Sequence, residues 1–133
     1  MNGLLALAEW MHAQSVWKDV PFDAERVSEI LNAAQAEQGG FDLIAPDANG
    51  FMVMATVPSH FNRDHKLALE LAWGSRTPGG SRELIEAART KAGERGARAL
   101  IVGAEIDNHG AALGRLYRQL GGVPHGLSYR FTV

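Results

Sequence analysis

The 133-residue sequence contains no cysteine. This absence excludes a disulfide framework, a zinc site with cysteine ligands and a thioester intermediate on a cysteine, and it favours a reducing compartment. A surplus of positive charge is also lacking, because 13 Lys and Arg face 15 Asp and Glu, for a formal net charge of -2. The charges are mixed along the chain without a basic stripe, so we expect no nucleic acid or other polyanion as a partner.

The sequence has no long apolar run suited to a membrane or a secretion signal. The N-terminal stretch "MNGLLALAEWMH" is apolar, but it has no basic leader, contains Glu9 and is followed by no small-residue cleavage pattern. We therefore predict a helix of a cytoplasmic protein there, with no membrane partner. Repeats, linkers and low-complexity segments are absent as well, and the length suits one domain with a hydrophobic core. The prediction is a single domain over residues 1–133.

Two amphipathic helices are predicted in the first third of the chain. Apolar residues at helical spacing predict the first helix over about residues 3–14. Asp23 is a natural N-cap for the second helix, because its carboxylate can accept hydrogen bonds from the free amides of the first turn. The pair Gly39 and Gly40 is predicted to end that helix.

A β-hairpin and a third strand are predicted next. The stretch "FDLIAPDANGFMVMATVP" has two apolar runs around Asp47, Asn49 and Gly50, residue types that tolerate the positive φ angles of hairpin turns. The stretch "HKLALELAWGS" alternates as a strand. Its predicted faces are Leu67, Leu69, Leu71 and Trp73 on one side and Ala68, Glu70 and Ala72 on the other.

The second half of the chain predicts helix, strand, helix and strand. Residues about 80–95 repeat at helical spacing, and "ARALIVGAEI" is a continuous apolar strand of the type that is buried on both faces of a parallel sheet. Asn108 and His109 are predicted cap and turn residues before a last helix, which Gly121 and Gly122 end. The stretch "LSYRFTV" alternates as a closing strand.

This order of elements predicts an α/β (α+β) domain with a mixed, mostly antiparallel sheet flanked by helices. The strand-helix-strand unit over about residues 66–103 should place its two strands parallel, joined by a right-handed crossover. The sheet is then parallel only at its centre.

The stretch "SRTPGGSREL" joins the third strand to the helix that follows. Amides at a helix N-terminus lack intrahelical partners, and the helix dipole places partial positive charge there. Gly79 and Gly80 leave the backbone bare for a phosphate, while Arg76 can add a charge and Ser81 a hydroxyl. The alternative is an ordinary connection in which Pro78 and Gly79 form a turn, and the residues alone leave both open.

Residues about 66–123 resemble the acetyl-CoA-binding core of the GNAT family of N-acetyltransferases. The pyrophosphate loop of that family has the pattern Gln/Arg-x-x-Gly-x-Gly/Ala, which is matched here from Arg76 to Gly79, with Ser81 at the last position. The stretch "GRLYRQLGGVPHGLSYRF" is similar to the family's second signature, with Gly122 where an aromatic residue is usual. No strand is predicted before the first helix, and the architecture is in this respect similar to small, trimmed GNAT-like proteins encoded by phages.

The resemblance implies that acetyl-CoA is the cosubstrate and that an amine, of a small molecule or a protein, attacks it directly in a ternary complex. In the family the strand before the loop splays from its parallel neighbour, and the pantetheine arm of coenzyme A pairs with the exposed backbone. The implied coenzyme A-binding residues are Leu71, Ala72, Trp73, Arg76, Thr77, Pro78, Gly79, Gly80, Ser81 and Arg82. For Trp73 the alternative is an aromatic of the core or its rim.

Two residues are candidates for proton transfer in such a reaction. The resemblance assigns the general acid to Tyr117, for which packing in the last helix is the alternative. Glu70, the ionisable group within the apolar part of the third strand, is the candidate base, with a solvated carboxylate or a water relay as alternatives. His60, Asp64 and His65 match no strong ligand spacing, so no metal site is predicted.

Two other functions stay open at the level of the sequence. A non-catalytic protein of this fold, such as a structural component of a phage particle, would use the loop only as a turn. A sensor would bind acyl-CoA without turnover. A homodimer or an assembly within a larger particle is compatible with each of these functions, in the host cytoplasm or in a virion.

Overall fold

The structure is a computed structural model that describes residues 2–104 and 110–133. In chain order its elements are α1 (Asn2–Gln14), α2 (Ala24–Gln35), β1 (Phe41–Ile44), β2 (Gly50–Ser59), β3 (Asn62–Ser75), α3 (Gly80–Glu94), β4 (Ala97–Ile101) and α4 (Gly110–Gln119). They fall into two compact units, Met1–Gly103 and Ala104–Val133. None of the helices described is both long enough and apolar enough to cross a membrane.

The two N-terminal helices form where the sequence predicts them, and α2 has the predicted cap. The Arg26 amide donates to Asp23 Oδ1 at 3.0 Å, which satisfies one of the free donors of the first turn. The predicted end of α2 is wrong by a few residues, because the helix stops at Gln35 and Ala36 is its C-cap. Gly39 and Gly40 instead take φ angles of 65° and 81° in the turn that leads into β1.

A four-stranded sheet in the order β1-β2-β3-β4 forms the centre of the first unit. The β1–β2 and β2–β3 pairs are antiparallel, and the β3–β4 pair is parallel. Because α3 connects the two parallel strands, the predicted strand-helix-strand unit with parallel strands is confirmed. The mixed sheet flanked by helices confirms the predicted fold class.

Helices cover both faces of this sheet. One face packs against α1 and α2 in a core cluster of Leu7, Leu31, Ala34, Phe51 and Val53. The opposite face packs against α3, where Met54, Ala68 and Ala92 are buried together. The apolar stripes that predict these helices therefore face the sheet, as amphipathic helices do.

A β-bulge at Leu71 changes the faces of β3 from those predicted. Val53 pairs with Ala72 and Met54 with Glu70, so Leu71 is an extra residue without a partner across the pair. Directly paired residues share a sheet face, and Trp73 pairs with Met52. Trp73 therefore lies on the same face as Glu70, and the prediction that it shares a face with the strand's leucines is wrong. Simple alternation missed the bulge because the inserted residue is itself apolar.

The strand β4 is shorter and more exposed than its apolar sequence indicates. It spans Ala97–Ile101, and Arg98 and Ala99 are exposed, so the prediction of a strand buried on both faces is wrong. The reason is its place at the edge of the sheet formed by the described residues. Val102–Ala104 are not part of the strand, while Glu105 and Ile106 lie outside the described residues.

The second unit contains α4 and an irregular C-terminal segment. The chain leaves α4 through Gly121, whose φ angle is 89°, and the Gly122 amide donates to the Tyr117 carbonyl at 2.7 Å, which confirms the predicted helix end. The predicted closing strand at residues 127–133 is not formed. Tyr129 and Phe131 are 80% and 84% exposed. Alternation yields a strand only where the backbone finds a pairing partner, and the described part of this unit contains no other strand. Asn108 and His109, the predicted cap and turn residues, lie outside the described residues.

Candidate functional site

The connection between β3 and α3, residues 76–81, is the candidate anion-binding loop. Gly79 is the N-cap of α3, has a φ angle of 74° and offers no side-chain cap to the helix. A Cβ atom at Gly79 would meet nothing within 4 Å, whereas one at Gly80 would lie 2.6 Å from Ser75 Oγ. The two glycines thus have separate roles, since Gly79 leaves open space beside the helix start and Gly80 permits close packing beneath it.

Some amides of this loop donate hydrogen bonds within the protein, and others are available to a ligand. The Thr77 amide donates to Ser75 Oγ at 3.1 Å, and the Gly80 amide donates to the Thr77 carbonyl at 2.9 Å. Pro78 has no N–H group. No acceptor within residues 2–104 and 110–133 meets the amides of Gly79 and Ser81. A helix start with two free donors and its own dipole suits a bound phosphate or pyrophosphate group.

Arg76 brings a positive charge to the same loop. Its guanidinium carbon lies 4.4 Å from the centre of the Trp10 ring, which belongs to α1. Its amide donates to the Asn49 carbonyl at 2.8 Å. A cation–π contact of an exposed arginine contributes about 0.5–1 kcal/mol, enough to favour one position of a long side chain.

The pairing of the parallel strands β3 and β4 ends before this loop, and we call the region beyond their last pair the opening. Their pairing ends at Leu69 and Ile101, although β3 continues to Ser75. Across the opening, the Gly103 amide donates to Glu70 Oε1 at 3.1 Å. The predicted candidate base therefore lies at the start of the opening, on the face of the sheet that α3 covers.

The predicted coenzyme A-binding residues are brought together because they are almost consecutive. Leu71 is half-exposed at the bulge, Ala72 is exposed and Trp73 is half-buried, all beyond the last β3–β4 pair. The loop and Arg82, in the first turn of α3, follow directly. Tyr117 lies in the other unit, half-buried on α4 with Leu113 at helical spacing.

Sequence reasoning missed the residues that hold the loop from outside. Trp10, Asp47 and Asn49 contact Arg76 or Thr77 from 27 to 66 positions away along the chain. The sequence offered only a turn signal for Asp47 and Asn49, and no signal for Trp10. Contacts between distant segments leave no local pattern.

Two shallow clefts lie elsewhere on the first unit. One of about 390 Å³ is lined by residues of β1, of the turn after it and of α3, and one of about 230 Å³ is lined in part by Asp42 and Thr56. Neither includes a residue of the candidate loop. Within the described residues, no three His, Asp or Glu side chains group closely enough to hold a metal ion.

The fold of the whole chain matches that of known acetyltransferases. A ribosomal-protein-alanine N-acetyltransferase from Brucella melitensis biovar Abortus 2308 superposes with a TM-score of 0.69 at 17% identity, covering 99% of this chain and 92% of that one. An aminoglycoside acetyltransferase from an uncultured soil metagenomic sample gives 0.65 at 16% identity, with 97% and 91% covered. AAC(6')-Iy, in complex with a bisubstrate analogue of coenzyme A and acetylneamine, gives 0.63 at 18%, with 97% and 92% covered.

No family model and no curated protein matches the sequence. At 16% to 18% identity the likeness to solved structures is one of fold. The chain has the fold of the GNAT acetyltransferases.

Proposed function

We propose that this protein is an N-acetyltransferase that uses acetyl-CoA and transfers the acetyl group to an amine by direct attack. One observation carries the proposal: the start of α3, with the free amides of Gly79 and Ser81, follows the part of β3 that continues beyond its last pair with β4. In a GNAT-type fold this combination offers an anion site next to the end of the parallel strand pair.

The residues of the first unit fit the two parts of coenzyme A. The amides of Gly79 and Ser81 and the dipole of α3 would hold the pyrophosphate, with Arg76 adding charge. Thr77, Pro78, Gly80 and Arg82 complete the loop and the first turn around them. The backbone of Leu71, Ala72 and Trp73, which follows the last β3–β4 pair, would pair with the pantetheine arm.

The chemistry requires two proton transfers, one from the amine and one to the thiolate. The thioester supplies the acetyl group and a thiolate leaving group. Glu70 would accept the proton that the amine loses, directly or through a water molecule, and its hydrogen bond from Gly103 holds the carboxylate at the opening. Tyr117 would supply the proton that the thiolate gains.

The acceptor is proposed only as a class. One structural neighbour is named for ribosomal-protein alanine and another for aminoglycosides, so the same fold serves amines of proteins and of small molecules. We propose an amine of either kind here. A phage source, a cytoplasmic location, a homodimeric state and a single-domain organisation stay predictions.

Calorimetry and a turnover assay test the proposal together. The purified protein should bind acetyl-CoA and coenzyme A, and it should consume acetyl-CoA with at least one member of a panel of amines and peptides. Absence of binding would overturn the proposal. Binding without turnover on the panel would instead support an acyl-CoA sensor.

Tyr117→Phe tests the acid role. The substitution keeps the ring and its packing but removes the proton, so the turnover rate should fall about 100-fold to 10,000-fold while coenzyme A affinity stays unchanged. Tyr129→Phe, at the exposed second tyrosine, is the matched control and should leave both quantities unchanged. Equal turnover in Tyr117→Phe and the wild type would assign the proton to water or another donor.

A further inference from the structure

The candidate anion-binding loop is tied to the turn between β1 and β2 by a set of side chains. Thr77 Oγ1 donates to Asp47 Oδ2 at 3.1 Å, and the Asn49 amide donates to the other carboxylate oxygen, Oδ1, at 2.7 Å. The Asn49 carbonyl in turn accepts from the Arg76 amide at 2.8 Å. We call Asp47, Asn49, Ser75 and Thr77 the loop brace.

Ser75 occupies the centre of the loop brace. Its hydroxyl oxygen accepts from the Thr77 amide, and it lies so close to two glycines that no side chain fits there. A Cβ atom at Gly50, the first residue of β2, would lie 2.9 Å from Ser75 Oγ, and one at Gly80 would lie 2.6 Å from it. The start of β2, the end of β3 and the start of α3 therefore meet at one hydroxyl group.

Every polar group of Thr77 makes a hydrogen bond. Its amide, carbonyl and hydroxyl are each hydrogen-bonded, to Ser75, Gly80 and Asp47. A loop residue with every polar group engaged has little freedom to choose another conformation. The free amides of Gly79 and Ser81 are thus presented in one arrangement before any ligand arrives, and such preorganisation strengthens binding.

We propose that Asp47 is a positioning residue that presets the anion-binding loop for the pyrophosphate group of coenzyme A. This inference rests on the proposed function. It is unexpected on charge alone, because a carboxylate near a bound pyrophosphate repels it. If Asp47 acts by positioning the loop, its removal should weaken coenzyme A binding. If its charge dominates, its removal should strengthen coenzyme A binding.

Asp47→Ala and Thr77→Val test these signs by calorimetry with coenzyme A. If the loop brace presets the loop, each variant should bind about 5-fold to 10-fold more weakly, because each loses the hydrogen bond between Asp47 and Thr77. The double variant should bind no more weakly than the weaker single variant, because both remove the same contact. Affinity equal to or tighter than that of the wild type in Asp47→Ala would overturn the inference.

A conservative variant tests whether the hydrogen bonds of Asp47 are enough to keep coenzyme A affinity. In Asp47→Asn the amide oxygen can accept from Asn49 and the amide nitrogen can donate to the Thr77 hydroxyl, which is also an acceptor. This variant should therefore bind coenzyme A about as tightly as the wild type. If Asp47→Asn loses as much coenzyme A affinity as Asp47→Ala, the charge of Asp47 determines the affinity and its hydrogen bonds do not.

Asp23→Ala is the matched control for general destabilisation. Asp23 also accepts a backbone amide near a chain turn, at the start of α2, and it belongs to no part of the loop. This control should lower the melting temperature but leave coenzyme A affinity unchanged. If the wild type itself fails to bind coenzyme A, the proposed function is wrong and this inference falls with it. Normal wild-type binding with an unaffected Asp47→Ala variant removes the inference alone.

Discussion

Single residues at the start of α3 decide whether an anion can bind there. Gly79 has a left-handed backbone conformation and open space around the position of a side chain, whereas Gly80 is confined by Ser75 and Thr77. A substitution at Gly80 would disturb the packing, so it cannot report on binding alone. Gly79 is the position at which binding and folding can be separated.

Gly79→Asp should abolish coenzyme A binding while the fold persists. The carboxylate would stand next to the free amides and repel the pyrophosphate, and the positive φ adds strain of about 1 kcal/mol. Calorimetry with coenzyme A, beside a melting curve, measures both effects. Gly93→Asp, at an exposed position near the other end of α3, is the control and should bind normally. Unchanged affinity in a folded Gly79→Asp protein would remove the loop from the site.

The helix α3 is anchored at its end by ion pairs with Asp42 in β1 and with Glu37, which precedes β1. Arg95, its C-cap, donates through Nε to Asp42 Oδ2 at 3.0 Å and through Nη2 to Oδ1 at 2.7 Å, and the Asp42 side chain is only 2% exposed. Glu37 accepts from Lys91 and Arg95, both at 2.9 Å. These partners raise the pKa of Arg95, chiefly through the hydrogen bonds to Asp42.

Arg95→Met should lower the melting temperature by about 5 °C or more, because a buried carboxylate loses its bidentate partner. Lys91 replaces that partner poorly, since its Nζ lies 4.0 Å from Asp42 Oδ1. Thermal unfolding of the variant is compared with that of Arg98→Met, an exposed arginine in β4, which should unfold near the wild-type temperature. Equal melting of Arg95→Met and the wild type would show that the pair contributes nothing to the anchoring of α3.

At the scale of the whole molecule, the same ion pairs link stability to pH. Hydrogen bonds from Lys91, and then from Arg95, hold the pKa of Glu37 below its ordinary value of 4.5. The folded state thus favours the carboxylate form. A group with a lowered pKa stabilises the fold above its unfolded pKa, and that contribution is lost as the pH falls through the folded pKa.

Glu37→Gln should therefore melt slightly below the wild type at pH 6 to 7, and the difference should vanish as the pH falls through the acid range below about 4.5. The difference is small because exposed ion pairs contribute little, and added salt should reduce it further. Melting curves of both proteins across this pH range measure it. A difference that persists unchanged to low pH would mean that Glu37 acts through its shape and not its charge.

The sequence by itself determined the local elements of this protein. Local signals, each carried within a few neighbouring residues, predicted these elements. They are helical spacing, the Asp23 cap, the hairpin turn and the glycine pair at the start of α3, and the structure has a helix, a cap or a turn at each of these places. The candidate site on β3 and the loop was predictable for the same reason, because its residues from Glu70 to Arg82 are almost continuous in the chain.

Only the tertiary structure decided how those elements pair. The bulge at Leu71 depends on the register of β3 against β2. The exposure of β4 depends on its place at the edge of the described sheet. Residues 127–133 are irregular because the described part of their unit contains no partner strand. The hydrogen bond between Asp47 and Thr77 joins segments 30 residues apart. Backbone pairing and such long-range contacts depend on which groups meet in space, and hydrophobic spacing along the chain carries no record of that.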